Sequence, residues 1–342
     1  MKKVLVLVLA FALVFSICAC GGSGNGGAAE ENTYTADNPL VIRFAYVNAT
    51  EDPAHKAAVA FKDEVESKSE GAVKVELYPN SELGSDVTVL EGVQMDEIQM
   101  TAPATSSMAA YDERLALVDL PLLFNSFEDM ETAANGALFE LYDSWAAESN
   151  FKLLGFQFDG TRCVSNNKRP INSIDDFKGL KIRVMESETH INLFKALGAS
   201  PIPMPYGDVY TGLQQGTIDG QDNPPALTVA GKFNEVQKYY SLTNLIIAIP
   251  PVLVNKKVFE SYPEDIQEII SSAAEEHLVK WQRAENYKEE EAYIEQIAAG
   301  GTKVNEVEDM DSIKEALQPV YDAARSSCGD EVVDELLKAC GQ

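Results

Sequence analysis

The chain has 342 residues, and 54 acidic side chains outweigh 27 basic ones to give a formal charge of −27. That balance leaves no basic surface for phosphates and excludes nucleic acid as a partner. The histidines, His55, His190 and His277, are scattered, and the five cysteines form no CxxC or Cys/His cluster. With no HExxH, GxSxG or P-loop pattern either, nothing points to a metal, a cofactor or an enzyme.

Lys2 and Lys3 precede an apolar run from Val4 to Ile17, the pattern of a secretory signal. Within Ile17-Cys18-Ala19-Cys20-Gly21-Gly22, small residues lead into a cysteine as in a lipobox, which makes residues 1–19 a signal peptide and Cys20 the lipid-modified residue. A plain cleaved signal is the alternative, and the run is too short to span a membrane comfortably. Residues 20–38 are nearly free of apolar side chains and read as a tether. About 300 residues remain, enough for two modest α/β lobes. Losing Lys2 and Lys3 leaves the mature part still more acidic, so an anionic ligand must rely on local, desolvated cations.

The first lobe opens with a strand over Leu40 to Val47. Asn48, at its carboxyl end, is placed either to meet a ligand or simply to form the turn. Pro53 starts a helix that turns Ala57, Phe61 and Val65 inward. A second strand covers Val73 to Leu77, and Asp86 after it is a helix N-cap or a ligand contact. A third strand covers Ile98 to Ala102. The hydroxyls that follow, including Thr105, can cap a helix or donate to a bound acid. Phe127 to Ser149 is expected to be one long helix. Phe151 to Gly160 is a buried strand with a hinge near Gly160, followed by Arg162, which enters the cleft or stays solvated.

In Leu180–Met185, apolar and cationic residues alternate, so Leu180, Ile182 and Val184 share one face and Lys181 and Arg183 the other. A guanidinium held by a rigid strand is a charged fork suited to a carboxylate. Helices are expected over Ser187–Leu197 and Asp208–Gln215. Gln221-Asp222-Asn223-Pro224-Pro225 then presents an amide and a carboxylate locked by prolines. Leu242–Ile249 and Val252–Asn255 are strands returning to the first lobe. Pro263 to about Ala299 reads as a helix of roughly 55 Å, and Thr302–Gln342 as a strand and two helices on the second lobe. Cys163 is expected to be a buried thiol. Cys328 and Cys340 flank an amphipathic helix, where an oxidising compartment would permit a disulfide.

KGLKIRV followed by FKALGASPIPMPYGDVYTGLQQGTIDGQDNP closely resembles the central segment of the DctP-like substrate-binding proteins of TRAP (tripartite ATP-independent periplasmic) transporters. The motifs run in the family's order across Lys178 to Pro225, and the YPNSELG loop, the Leu115–Phe124 stretch, the Gly-Thr-Arg around Arg162 and KFNEVQKYYSLT extend the match. The resemblance implies an α/β, two-lobed periplasmic-binding-protein-like fold with a hinge, a cleft between the lobes and a long helix spanning both. The first lobe would hold 39–160 plus about 249–288, and the second 161–248 plus about 289–342. It implies a monomeric extracytoplasmic receptor for a small organic acid that works with small and large membrane subunits. Arg183 would grip the ligand carboxylate, with Arg162 adding charge. Asn223 would orient the ligand, Tyr206 cover it and Asn48 reach it from the first lobe. Asp222 would pair with an arginine or meet a ligand hydroxyl or ammonium. The binding subunit of an ATP-driven importer and a sensory receptor remain alternatives.

Overall fold

The computed structural model describes residues 34–342; the signal peptide, Cys20 and most of the tether lie outside them. The last tether residues, expected to be flexible, pack instead. Tyr34 sets its ring edge-on to Tyr262 at 6.3 Å, and Thr35 and Asn38 close a turn.

One sheet is built from β1 (Leu40–Ala45), β2 (Val73–Tyr78), β3 (Met100–Thr101), β4 (Phe151–Phe156) and β10 (Pro251–Asn255), in the order β2-β1-β3-β10-β4. The first three are parallel, and β10 runs antiparallel between β3 and β4. Alternation in β1 buries Leu40, Ile42 and Phe44 beneath α1 (Pro53–Lys68), whose Ala57, Phe61 and Val65 face them. The Asp52 carboxylate caps α1 by accepting from the Ala54 amide at 2.8 Å, and Pro53 fits the first helical turn. α2 (Asp86–Gln94) links β2 to β3. The helix expected from Phe127 to Ser149 is two, α3 (Phe127–Ala134) and α4 (Ala137–Glu148), because Gly136 leaves helical geometry at φ −134° and ψ −120°.

The second sheet holds β5 (Gly160–Asn166), β6 (Lys181–Val184), β7 (Ser200–Pro203), β8 (Gly220–Asn223), β9 (Tyr239–Ala248) and β11 (Lys303–Glu306), ordered β11-β9-β5-β8-β6-β7. β6 pairs in parallel with β7 on one side and β8 on the other. Strand order therefore reverses at β6, and a crevice opens at the carboxyl ends of these strands. α5 (Glu188–Ala196), α6 (Val209–Gln215) and α7 (Pro225–Ala230) complete this lobe.

The chain crosses between sheets at Gln157–Asp159 and again at Ile249–Pro250. The crossings lie side by side, joined by Gln157 N to Pro250 O at 2.8 Å and Asp159 N to Ala248 O at 2.9 Å. Gly160, at φ +111°, starts the strand beyond the first crossing. Behind the crossings, Glu264–Ala273, a π-helical Ala274–Trp281 and Gln282–Ala299 run on as one helix. It packs on α1 and β4, then on α7, β5 and β11, and so spans both lobes. Its seat on β4 is close: a Cβ at Gly155 would come within 2.4 Å of the Val279 side chain. Buried Gln282, Arg283 and Asn286 bond the crossing from behind, with Arg283 Nε donating to Phe156 O at 2.7 Å and Asn286 Nδ2 to Phe158 O at 2.5 Å.

The C-terminal helices are not confined to the second lobe, contrary to the expectation for Thr302–Gln342. Gln318–Cys328 packs on α5, whereas Asp330–Ala339 packs on α4. Tyr321 donates to Pro121 O at 2.7 Å. Cys328 and Cys340 are both free thiols. The ten-residue helix between them sets them about 15 Å apart at ~1.5 Å per residue, beyond disulfide reach. Cys163 is a buried free thiol, and burial pushes it up to about 12.

Candidate ligand-binding cleft

The carboxyl ends of strands from both sheets meet around a cavity of about 270 Å³ between the lobes, just below the usual ~300–1,000 Å³ of small-molecule sites. Asn48 follows β1, Ser81 and Asp86 follow β2, and Thr105 follows β3. From the other sheet come Arg162 on β5, Arg183 on β6, Tyr206 after β7 and Asn223 on β8. Seven of the eight expected binding residues thus line one space. Asp222, the eighth, stands behind it.

Arg183 is only 3% exposed. Its Nε donates to Met204 O at 2.8 Å, which fixes the plane of the guanidinium. Among the described residues its terminal nitrogens make no hydrogen bond and no carboxylate forms an ion pair with it. Burial, aided by the neighbouring Arg162 cation, pushes it down to about 10. A cation short of partners in a cavity has the chemistry to accept a carboxylate.

Arg162 lines the same cavity, but its charge is already answered. Nε meets Asp222 Oδ2 at 2.7 Å and Nη2 meets the Asp222 carbonyl at 2.5 Å, with both side chains 4% exposed. Burial alone would raise Asp222, yet the Arg162 guanidinium outweighs it and holds the carboxyl below its usual range. Of the two roles expected for Asp222, the structure places it in the arginine pair.

The other expected residues are partly engaged by the protein. The Thr105 hydroxyl donates to Asp119 Oδ1 at 2.5 Å, so it neither caps a helix nor points its hydrogen at a ligand. Asp119 Oδ2 reaches His190 Nε2 on α5 at 3.1 Å, a buried link between the lobes. Ser85, not Asp86, caps α2. Asp86 accepts from the Ala104 amide at 3.2 Å, and burial pushes it up to about 6. Asn223 Nδ2 donates to Gln221 Oε1 at 2.5 Å, and Tyr206 donates to Leu227 O at 3.1 Å with its ring edge-on to Phe233. Asn48 is buried, and its amide nitrogen has no hydrogen-bond partner.

Sequence reasoning missed Asp119 and Asp159, which also line the cavity. Asp159 immediately precedes the hinge glycine, and that position was the available signal. Burial, reinforced by Asp52, pushes its carboxyl well above the usual range. Across the cleft, Ser106 Oγ donates to Met185 Sδ at 3.2 Å. With Asn48, Arg183 and Asn223 all nearly inaccessible, the lobes are closed on one another. The remaining histidines are tied elsewhere, His55 to Tyr46 at 2.8 Å and His277 to Glu64 at 2.5 Å. Among the described residues there is no metal-ligating cluster of His, Cys, Asp and Glu.

Comparison with known proteins agrees with this architecture. Residues 44–327 match the model of the bacterial extracellular solute-binding protein, family 7 (DctP). The C4-dicarboxylate-binding periplasmic protein DctP of Rhodobacter capsulatus is 32% identical over 86% of this chain and 89% of its own. The 2,3-diketo-L-gulonate-binding periplasmic protein of Escherichia coli is 32% identical over 79% and 81%. Among solved structures, the sugar acid binding protein of Advenella mimigardefordensis, in complex with galactonate, superposes with a TM-score of 0.84 at 30% identity, covering 89% of this chain and 98% of that one. A TRAP periplasmic solute binding protein of Shewanella oneidensis with bound succinate gives 0.83 at 27% identity, over 88% and 99%. The chain belongs to the DctP family of TRAP solute-binding proteins. It is therefore an extracytoplasmic solute receptor with the family's two-lobed α/β fold, a transport protein rather than an enzyme. No described helix is long and apolar enough to cross a membrane.

Proposed function

We propose that this receptor captures a small organic acid by pairing the ligand carboxylate with Arg183, and delivers it to the small and large membrane subunits of a TRAP transporter. The observation that carries this reading is the Arg183 guanidinium, 3% exposed, lining the cavity and bonded among the described residues only to Met204 O. Galactonate and succinate, the ligands bound in the two similar structures, both bear a carboxylate. Arg162 is assigned a lesser part: with Asp222 it makes a neutral, rigid floor and adds little net charge. Asn223 and Asn48 supply amides from opposite lobes, and Tyr206 covers the ligand with its ring. Because the cavity is closed, entry requires opening about the paired crossings, and contacts from both lobes then favour the closed form. Lipid on Cys20 would hold the receptor at the membrane.

The test is a thermal-shift screen of the purified protein against carboxylic acids, neutral sugars and amines, since a ligand of the folded state raises the melting temperature. Stabilisation by acids alone is the expected result. Stabilisation only by neutral or cationic compounds would sink the carboxylate anchor. Co-purification of the ligand-loaded receptor with the membrane subunits tests delivery.

A further inference from the structure

We infer that the cavity is built for a monocarboxylate carrying several hydroxyl groups, and that it rejects an acid with a carboxylate at each end. The inference rests on Arg183 as the carboxylate anchor and adds what the other end of the ligand must be. Cations come first. Arg162 and Arg183 line the cavity, but Arg162 is neutralised by Asp222 at 2.7 Å. Among the described lining residues Arg183 alone remains to answer a negative charge, and one guanidinium fork holds one carboxylate.

The rest of the interior is acidic. Asp86 and Asp159 both line the cavity, Asp86 facing the Ala104 amide and the Ser107 hydroxyl and Asp159 accepting no hydrogen bond among the described residues. Glu186 and Asp208 sit at the exposed rim. Carboxyl groups awaiting donors in a confined space match ligand hydroxyls, which donate and accept in turn. The unpartnered amide nitrogen of buried Asn48 and the hydroxyls of Ser81, Ser85 and Ser107 fit the same chemistry. A second ligand carboxylate has nothing to donate and, once Asp86 and Asp159 ionise, meets like charge, which is repelled strongly where water is scarce. A quaternary ammonium fits no better, since Tyr206 is the one aromatic side chain among the described lining residues and an aromatic cage needs several.

Titration gives a handle on the same contrast. Around Asp86 and Asp159 stand Asp52 at the start of α1, Asp119, Arg162 on β5, Arg183 on β6 and Tyr206. Burial raises both carboxyls, and at Asp159 the neighbouring Asp52 and Asp86 add to the rise. A dicarboxylate would need both to hold protons, and alkaline solution opposes that.

The experiment is calorimetry of the intact chain with four- to six-carbon aldonates, each paired with the aldarate of the same skeleton, and with succinate and amino acids. At pH 8 at least one aldonate binds, and its aldarate and succinate bind ~100-fold or more weakly. At pH 5 that gap narrows at least ~10-fold, as it does at pH 8 in Asp159→Asn or Asp86→Asn. The pH comparison needs no variant, so the inference stays testable if a substitution prevents folding. Equal binding of aldonate and aldarate, or tighter binding of succinate, overturns the inference. If Arg183→Ala abolishes that binding, the carboxylate anchor itself survives. Preference for an amino acid over every aldonate also overturns it, because an ammonium would then be answering Asp86 and Asp159. Failure of every acid to bind removes the anchor and the inference together.

Discussion

Replacing Arg183 with alanine separates a ligand anchor from a structural ion pair. A guanidinium that stabilised the fold would have a carboxylate partner in the empty protein. Among the described residues Arg183 has only the Met204 carbonyl at 2.8 Å; it is 3% exposed and is pushed by burial and Arg162 down to about 10. Holding it charged without a carboxylate partner costs about 3 kcal/mol, the energy equivalent of that fall from the ordinary arginine range. A ligand carboxylate relieves the cost and adds charge-assisted hydrogen bonds, so Arg183→Ala should weaken acid binding by about 2–5 kcal/mol, or roughly 30- to 5,000-fold. The ligand-free melting temperature should stay level or rise, because a poorly partnered cation has been removed. Calorimetry on both forms reads the affinity, and scanning calorimetry without ligand reads the stability. Arg183→Lys keeps a charge but loses the fork, and should fall between wild type and alanine. Near-native affinity in Arg183→Ala, together with a clear drop in ligand-free stability, would refute the reasoning and return Arg183 to the scaffold.

Asp222→Ala leaves the Arg162 charge buried without its partner, and should destabilise the ligand-free protein by about 3–5 kcal/mol, read as a lower denaturant midpoint. The raised carboxyls set a pH dependence of the opposite sign to that of paired ones. The folded chain keeps protons on Asp86, at about 6, and on Asp159, that the unfolded chain releases near pH 4. Their stabilising contribution is full below about pH 4 and is lost as pH rises through 6 and beyond, a change of about 1–3 kcal/mol for Asp86. Arg183, Asp159, Ser107 and the Ala104 amide face that group, so the test is comparative: Asp86→Asn should flatten the melting-temperature profile between pH 4 and 8 relative to wild type. Gly220→Ala places a Cβ 2.1 Å from the Ser165 carbonyl oxygen on the facing strand. It should force β5 and β8 apart, cost about 3 kcal/mol or more, and weaken ligand binding by displacing Asn223.

Much of this protein is legible along the chain, for a local reason. Strand alternation and helix periodicity are written residue by residue, so Leu180–Met185, the Pro53 helix and the helix behind both lobes are all found where the side-chain pattern puts them. Sequence reasoning missed the break at Gly136, because the apolar helical pattern resumes beyond it, although Asn135-Gly136 is a turn-favouring pair that ends the first helix. The site divides the same way. Arg183 and Asn223 stand in motifs dense enough to name, and seven of the eight expected residues meet at one cavity.

What only the tertiary structure decided is which charges remain free. Arg162 and Arg183 look alike in sequence as two cations beside a cleft. Antiparallel pairing of β5 with β8 sets Asp222 against Arg162 at 2.7 Å, and among the described residues no carboxylate forms an ion pair with Arg183. Thr105 likewise looks like a free hydroxyl until the turn after β3 presents it to Asp119. Asp159 is an unremarkable acid until the hinge turns it into the cavity beside Asp86. Composition and periodicity determine which faces are buried. Long-range pairing determines which buried polar groups satisfy one another, and those left over define what the receptor can hold.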